Sequence, residues 1–325
     1  MKNKVCIIAC YFGKLPEWFD LWYKSASINS KFNFLLITDQ NVTKKITNIK
    51  VLNMSLDNFS EYCSKKLNLK IEIHKPYKLC DFRPAYGMIF EEYLKEFTFW
   101  GHCDLDQIWG DLSRFIDDKI LDKYDKINCC GHFTLYRNNL TIKSLYEHKG
   151  AAYSYKTVFQ SDYNYAFDEL SGINKIAQKA KIKMTTINCF IDIDKRYDVY
   201  MACNQTNYKK QIFCYKDGKI IQYYIEENEE IKSKEFAYIH FQAKKPKVNT
   251  DLNNIDKSTI IINSIGFNKV NTDIQKKIIE DYTEDYSKIK EKNREFKLNQ
   301  IKKFIKMPIK RKIIRIKQAI YKIIF

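Results

Sequence analysis

Proline and glycine are scarce, 5 and 9 in 325 residues, which excludes a collagen-like chain or a Gly/Pro low-complexity one. No run of about 18 uncharged apolar residues occurs, so nothing reads as a membrane-spanning helix. The chain holds 10 cysteines, at 6, 10, 63, 80, 103, 129, 130, 189, 203 and 214, but no CxxC pair. Their scatter through apolar stretches suits reduced core thiols in a cytosolic protein better than a disulfide frame or a zinc site. The start, Met1 to Cys10, has a basic end and a short apolar stretch. Tyr11 to Pro16 follows without a long apolar core or a small-residue cleavage site, so it reads as a buried strand rather than a signal peptide. Internal repeats are absent.

What is abundant excludes disorder. Hydrophobic residues make up 45% and aromatics 15%, with 23 Tyr and 21 Phe, whereas a disordered charged chain carries few rings. Lys+Arg 56 against Asp+Glu 39 gives +17, and the excess is local: residues 286–325 hold 14 Lys or Arg and 2 Glu, a net of +12. The body is therefore only mildly basic. Beyond Pro308, Ile309, Ile313, Ile316, Ile320 and Ile323 or Ile324 recur at helical spacing among Lys310, Arg311, Lys312, Arg315, Lys317 and Lys322. Such a basic amphipathic helix is expected to bind an anionic membrane surface through residues 296–325, with docking on the body or a second subunit as the alternative. Nucleic acid is disfavoured because stacking aromatics are sparse there.

Val5 to Ala9 and Phe32 to Thr38 are β-branched or apolar runs separated by a helical pattern from Pro16 to Ile28, and Ile49 to Met54 is a third run. Strand, helix, strand at this spacing predicts an α/β fold with a parallel sheet covered by helices. Ligands of such sheets gather at the carboxyl ends of strands, here Tyr11, Phe12 and Gly13, and Asp39. A helix is expected over 84–97, with Tyr86, Ile89, Phe90, Tyr93, Leu94 and Phe97 on its buried face. Further on the pattern predicts a strand pair over 126–136, a helix over 162–180 and strands over 185–193 and 235–241. A hairpin turns at Asp217-Gly218.

After the helical pattern comes Trp100-Gly-His102-Cys103-Asp104-Leu105-Asp106. Alternation puts Asp104 and Asp106 on one face with Leu105 turned into the core. Two hard carboxylates at a strand end can hold Mg2+ or Mn2+ and leave positions for phosphate oxygens. His102 and Cys103 read as packing residues. On the helix expected over 162–180, Phe167-Asp168-Glu169-Leu170 offers a carboxylate able to act as a general base, Asp168 ahead of Glu169, with an exposed acidic helix face as the alternative.

The order Lys78-Leu-Cys-Asp81-Phe-Arg83-Pro84, an aromatic-rich stretch and Trp100-Gly-x-x-Asp104-x-Asp106 resembles the GT-A glycosyltransferases, most of all bacterial members encoded with capsule or lipopolysaccharide synthesis. The resemblance covers roughly residues 4–250. It implies a Rossmann-like mixed sheet flanked by helices, divided into a nucleotide-binding half, 1–111, and an acceptor half, 112–285, ahead of the basic tail, 286–325. It further implies Asp104, Asp106 and His240 around Mn2+ or Mg2+, Lys244 or Lys245 at the β-phosphate, and Tyr11, Phe12 and Asp39 around uracil and ribose. Lys78, Asp81 and Arg83 would meet the donor, and His132 would line the acceptor side. The interval from His240 to Lys-Pro is one residue shorter than the best-known version. On the residues alone, Asp81 and Arg83 also read as an ion pair capping a helix, His240 as a core histidine and Lys244 and Lys245 as solvated charges.

The activity so implied is glycosyl transfer from a UDP-sugar to a lipid-linked or polysaccharide acceptor, in the cytoplasm at the inner face of the membrane. A nucleotidyl- or phosphotransferase would use the same aspartates, but it needs a richer phosphate loop than Gly13 and Lys14 supply. A basic adaptor working through its tail is the non-enzymatic alternative.

Overall fold

The computed structural model describes residues 2–169, 171–242, 244–252, 255, 258–287 and 289–324. Leu170 and Ala243, which adjoin residues singled out above, and Lys288 and Phe325 of the tail lie outside them. The strands begin with β1 (Val5–Tyr11), β2 (Phe32–Thr38), β3 (Ile49–Asn53), β4 (Phe99–Cys103) and β5 (Gln107–Trp109), then β6 (Lys126–Cys130), β7 (Phe133–Arg137) and β8 (Met184–Thr185). All but β5 join one sheet in the order β3-β2-β1-β4-β7-β6-β8. β1 to β4 are parallel and β7 runs antiparallel to β4.

Along β1, Val5, Ile7 and Ala9 enter one core and Cys6 and Ile8 the other. Both faces are buried, which is why the first two strands read as continuous apolar runs. The helix Phe19–Ile28 covers one face; the helix Leu56–Leu67 and the 3-10 segment Pro76–Ala85 cover the other. The molecule is thus mixed α/β, a large mixed sheet flanked by helices, with strands from both sides of residue 111 in that sheet. From β1 the chain builds outward through β2 and β3, then returns to its other side as β4. That reversal opens a crevice at the carboxyl ends of β1 and β4.

The remaining strands are β9 (Phe190–Asp192), β10 (Gln211–Lys216), β11 (Lys219–Ile225), β12 (Ile231–Phe236), β13 (Tyr238–His240), β14 (Thr259–Asn263) and β15 (Gly266–Val270). They form an antiparallel sheet, β12-β11-β10-β14-β15, and a small one, β5-β13-β9. The hairpin between β10 and β11 turns at Asp217 and Gly218, both at positive φ (48° and 77°), as a two-residue turn requires. Helices at Ile289–Ile305 and Ile309–Ile324 close the chain.

Four expected elements differ. The helix over 84–97 is broken into Tyr86–Ile89 and short 3-10 turns, the amides of Tyr93, Leu94 and Phe97 bonding three residues back to Phe90, Glu91 and Leu94, and Asn138 Nδ2 donates to the Leu94 and Phe97 carbonyls at 2.8 Å each; Tyr86, Ile89, Phe90 and Leu94 are nonetheless buried. The helix over 162–180 shrinks to Ile173–Lys179, since the amides of Tyr165 and Phe167 donate to Asp81 instead of to a helix and Ala166 sits at φ 48°. The strand over 185–193 splits because β8 pairs with β6 and β9 with β13. The strand over 235–241 changes sheet in the same way at Ala237.

Candidate functional site

The small sheet assembles the site. In it His240 lies opposite Gln107 on one side and opposite Asp192 on the other. Asp106 immediately precedes Gln107, and its carbonyl accepts the Phe241 amide at 2.8 Å. Trp18 Nε1 donates to the Leu105 carbonyl at 2.8 Å, and the Asp104 amide to the His132 carbonyl at 3.1 Å. Pinned at these points, the turn buries Leu105 and leaves Asp104 and Asp106 half-buried beside it, the arrangement that alternation predicts. Ligand atoms of Asp104, Asp106 and His240 all lie within 4.8 Å of one another.

His240 Nδ1 is 2.8 Å from Asp192 Oδ1, and its Nε2 is 3.3 Å from Asp106 Oδ1 and 4.0 Å from Asp104 Oδ2. Burial pushes this imidazole down, but Asp106 and Asp192 outweigh it and lift the pKa to about 10. Asp106 Oδ1 is buried and lacks an aligned hydrogen bond, His240 being in ion-pair range only. A buried carboxylate oxygen without a donor, next to a second carboxylate and an imidazole, fits a divalent cation. Asp192 was not among the residues read from the sequence. The Ile-Asp-Ile-Asp alternation at 191–194 carries a signal, but only the register of β9 on β13 aims it at His240. His132, expected on the acceptor side, stacks on His240 with ring centroids 4.2 Å apart and forms a second ligand-distance group with Asp192 and His240. Its place follows from the turn that leads into β7, where its Nδ1 is 3.3 Å from the Tyr238 hydroxyl.

The crevice is a cleft of about 690 Å³ lined by Tyr11, Phe12, Arg83, Asp104, Asp106, Lys244 and Lys245 among the expected residues. Lys14, Tyr77 and Lys247 also line it. That volume lies in the range of small-ligand sites. Lys244 donates its ammonium to the Tyr197 carbonyl, whereas Lys245 and Lys247 are exposed. Asp39 does not line the cleft; its two oxygens accept the Gly13 amide at 2.9 and 3.1 Å, holding the loop after β1, where Gly13 takes φ 96°.

Lys78 and Asp81 do not meet the cleft either. Their ion pair, at 2.8 Å, is buried, with the Lys78 ammonium also donating to the carbonyls of Val158 and Tyr163 and Asp81 accepting the amides of Tyr165 and Phe167. The pair staples the 3-10 segment to the loop over 158–167. Arg83, on the same segment, does reach the site: its guanidinium bridges Asp104 and Asp168, the latter at 2.8 Å. His102 is buried behind it and kept neutral by burial, in agreement with its reading as a packing residue. All ten cysteines are free.

Asp168 stands on the loop before the Ile173–Lys179 helix, not on an exposed helix face, and is buried; Glu169 next to it is exposed. Burial raises Asp168 to about 7, against the pull of Arg83 and with the neighbouring carboxylates of Glu169, Asp81 and Asp104 pushing the same way. A carboxyl whose folded pKa lies above its unfolded value stabilises the fold below the unfolded pKa and loses that contribution as pH rises through the folded one. Between about pH 4 and 7 Asp168 therefore lowers stability with rising pH, by at most about 1.4 kcal/mol per unit. Urea unfolding across this window should show the slope in the wild type and its flattening in Asp168→Asn.

The fold and site thus define a mixed α/β protein with a carboxylate–imidazole group beside a cleft that several cations line. Residues 7–271 match the model of a family of unknown function (DUF6625), and the chain belongs to that family. No curated protein matches it.

Proposed function

We propose that the chain is a metal-dependent glycosyltransferase of GT-A type that moves a sugar from a UDP-sugar to a lipid-linked or polysaccharide acceptor in bacterial surface glycan synthesis. It would work in the cytoplasm at the inner face of the membrane. The observation that carries this reading is the convergence of Asp104, Asp106 and His240 beside a cleft that also presents Arg83, Lys245 and Lys247. An acidic pair next to cations suits a diphosphate chelated by a divalent ion, where either feature alone would not.

Bound Mn2+ or Mg2+ would neutralise charge appearing on the leaving diphosphate. Lys245 and Lys247 at the cleft wall would add to that, while Tyr11 and Phe12 offer the rings for the base. Asp168 is committed to Arg83, so Glu169, exposed beside Gly131, is the carboxylate open to an acceptor hydroxyl. The Tyr77 ring, 70% exposed at the cleft, supplies an apolar surface for a sugar face.

Calorimetric titration of UDP with Mn2+ present, and again after EDTA, tests the proposal. Binding should strengthen with metal; equal affinity in both would sink the metal assignment. Donor hydrolysis across a panel of nucleotide sugars would identify the sugar, and turnover of a nucleoside triphosphate alone would favour the phosphotransferase alternative. Asp192→Ala is expected to weaken Mn2+ binding about 10- to 100-fold by freeing the His240 ring, with Asp192→Asn recovering much of the loss. Direct metal titration of both variants measures it.

A further inference from the structure

The last helix, Ile309–Ile324, touches the body with a face other than its isoleucine stripe. Ile314 is buried in a core of the body, Gln318 donates to the Tyr165 carbonyl, and the Tyr321 hydroxyl donates to the Gly150 carbonyl. Lys310 and Lys317 lie over the rings of Tyr163 and Tyr153 at 5.2 and 4.3 Å. At 3.6 residues per turn, Ile309, Ile313, Ile316 and Ile320 point roughly a third of a turn away from Ile314, Gln318 and Tyr321. Those four isoleucines are 75, 58, 48 and 50% exposed. Docking on the body, which would have hidden the stripe, therefore leaves it outward.

The geometry points to an anionic phospholipid bilayer as the occupant of this stripe. The helix carries Lys or Arg at 310, 311, 312, 315, 317 and 322 and no acidic residue, so its charge complements an anionic leaflet. Four isoleucines entering the headgroup region add apolar transfer energy to that attraction. The preceding helix, Ile289–Ile305, also leaves Leu298, Ile301 and Ile305 exposed on a single side of its own. A second copy of the chain would present the same cations to this face, which disfavours it as the occupant. The inference stands on the tail and holds whether or not the cleft transfers sugar.

Cosedimentation of the full chain with vesicles of phosphatidylcholine, and with equal parts phosphatidylglycerol and phosphatidylcholine, tests it. The chain should bind only the anionic vesicles, less so as salt rises, and the double variant I313E/I316E should bind them at least about tenfold more weakly with unchanged thermal stability. Ile314→Ala, on the body-facing side, should keep vesicle binding within about twofold of wild type, since it leaves the stripe intact. Equal binding to both vesicle types, no vesicle binding, or an unaffected I313E/I316E would overturn the proposal. So would self-association of the wild type that I313E/I316E dissolves while neither binds vesicles, which would make a second copy the occupant. Binding to a single-stranded oligonucleotide in place of vesicles, unchanged by I313E/I316E, would do the same. UDP binding by I313E/I316E, measured in parallel, separates failure of this inference from failure of the cleft reading.

Discussion

On the proposed function, Asp106→Asn is expected to reduce UDP binding in Mn2+ to the level the wild type shows in EDTA, and to slow the proposed sugar transfer at least about a hundredfold. Charge stabilisation by a catalytic metal is worth several kcal/mol, and a hundredfold is about 2.7 kcal/mol of it. Asp106 should matter more than Asp104, because their carboxylates are engaged differently. Asp104 is held by Arg83, whereas Asp106 Oδ1 is buried without a hydrogen bond and faces His240 Nε2. The amide introduced by Asp106→Asn would keep the size of the side chain and remove the anionic donor. Asp104→Asn should cost less in metal binding, since part of that carboxylate is already spent on Arg83. Metal-stimulated UDP binding that survives Asp106→Asn would remove the basis for the transferase reading.

A second large effect is expected on stability. Asp81→Ala should destabilise the fold by about 3–5 kcal/mol, the usual cost of breaking a buried ion pair by removing one partner. The substitution strands the Lys78 ammonium, 3% exposed at its side chain, and leaves the amides of Tyr165 and Phe167 without their acceptor. Replacing both partners, Lys78→Met with Asp81→Ala, should cost less than Asp81→Ala alone, because no charge is then left buried. Urea unfolding of the three proteins provides the comparison; a cost for Asp81→Ala under about 1 kcal/mol would refute the staple. The same variant should loosen the loop that carries Asp168 to Arg83, so its Asp168-dependent pH slope should flatten as well.

The aspartate pair, the first strand and its carboxyl end were readable because their signals are local. Continuous apolar runs mark strands buried on both faces, alternation around Leu105 orients its neighbours, and Asp-Gly at 217–218 supplies the two positive φ angles of a tight hairpin. His240 was readable through its resemblance to a motif. Asp192 was not, since nothing in Phe190–Asp192 says which strand it will pair with, and its role is a matter of register on β13. The resemblance implies Lys78 and Asp81 as donor contacts, and the fold places them in a buried ion pair away from the cleft lining. Their spacing is legible, but only the arrival of residues 158–167 turns that pair into a buried staple. The helix expected over 162–180 failed for the same reason, as a distant carboxylate outbid the helix for two amides.

By itself, then, the amino-acid sequence determined an α/β body, an acidic pair at a strand end, reduced thiols and a basic tail with an isoleucine stripe, all properties of neighbouring residues and their periodicity. The tertiary structure alone decided which further carboxylate reaches that group's histidine, that His132 stacks on the same ring, that Arg83 serves two carboxylates at once, and that the tail docks with its stripe facing out. Those outcomes depend on strand register and on competition for buried hydrogen bonds between segments up to 171 residues apart, as between Tyr321 and Gly150, and no local pattern encodes such pairings.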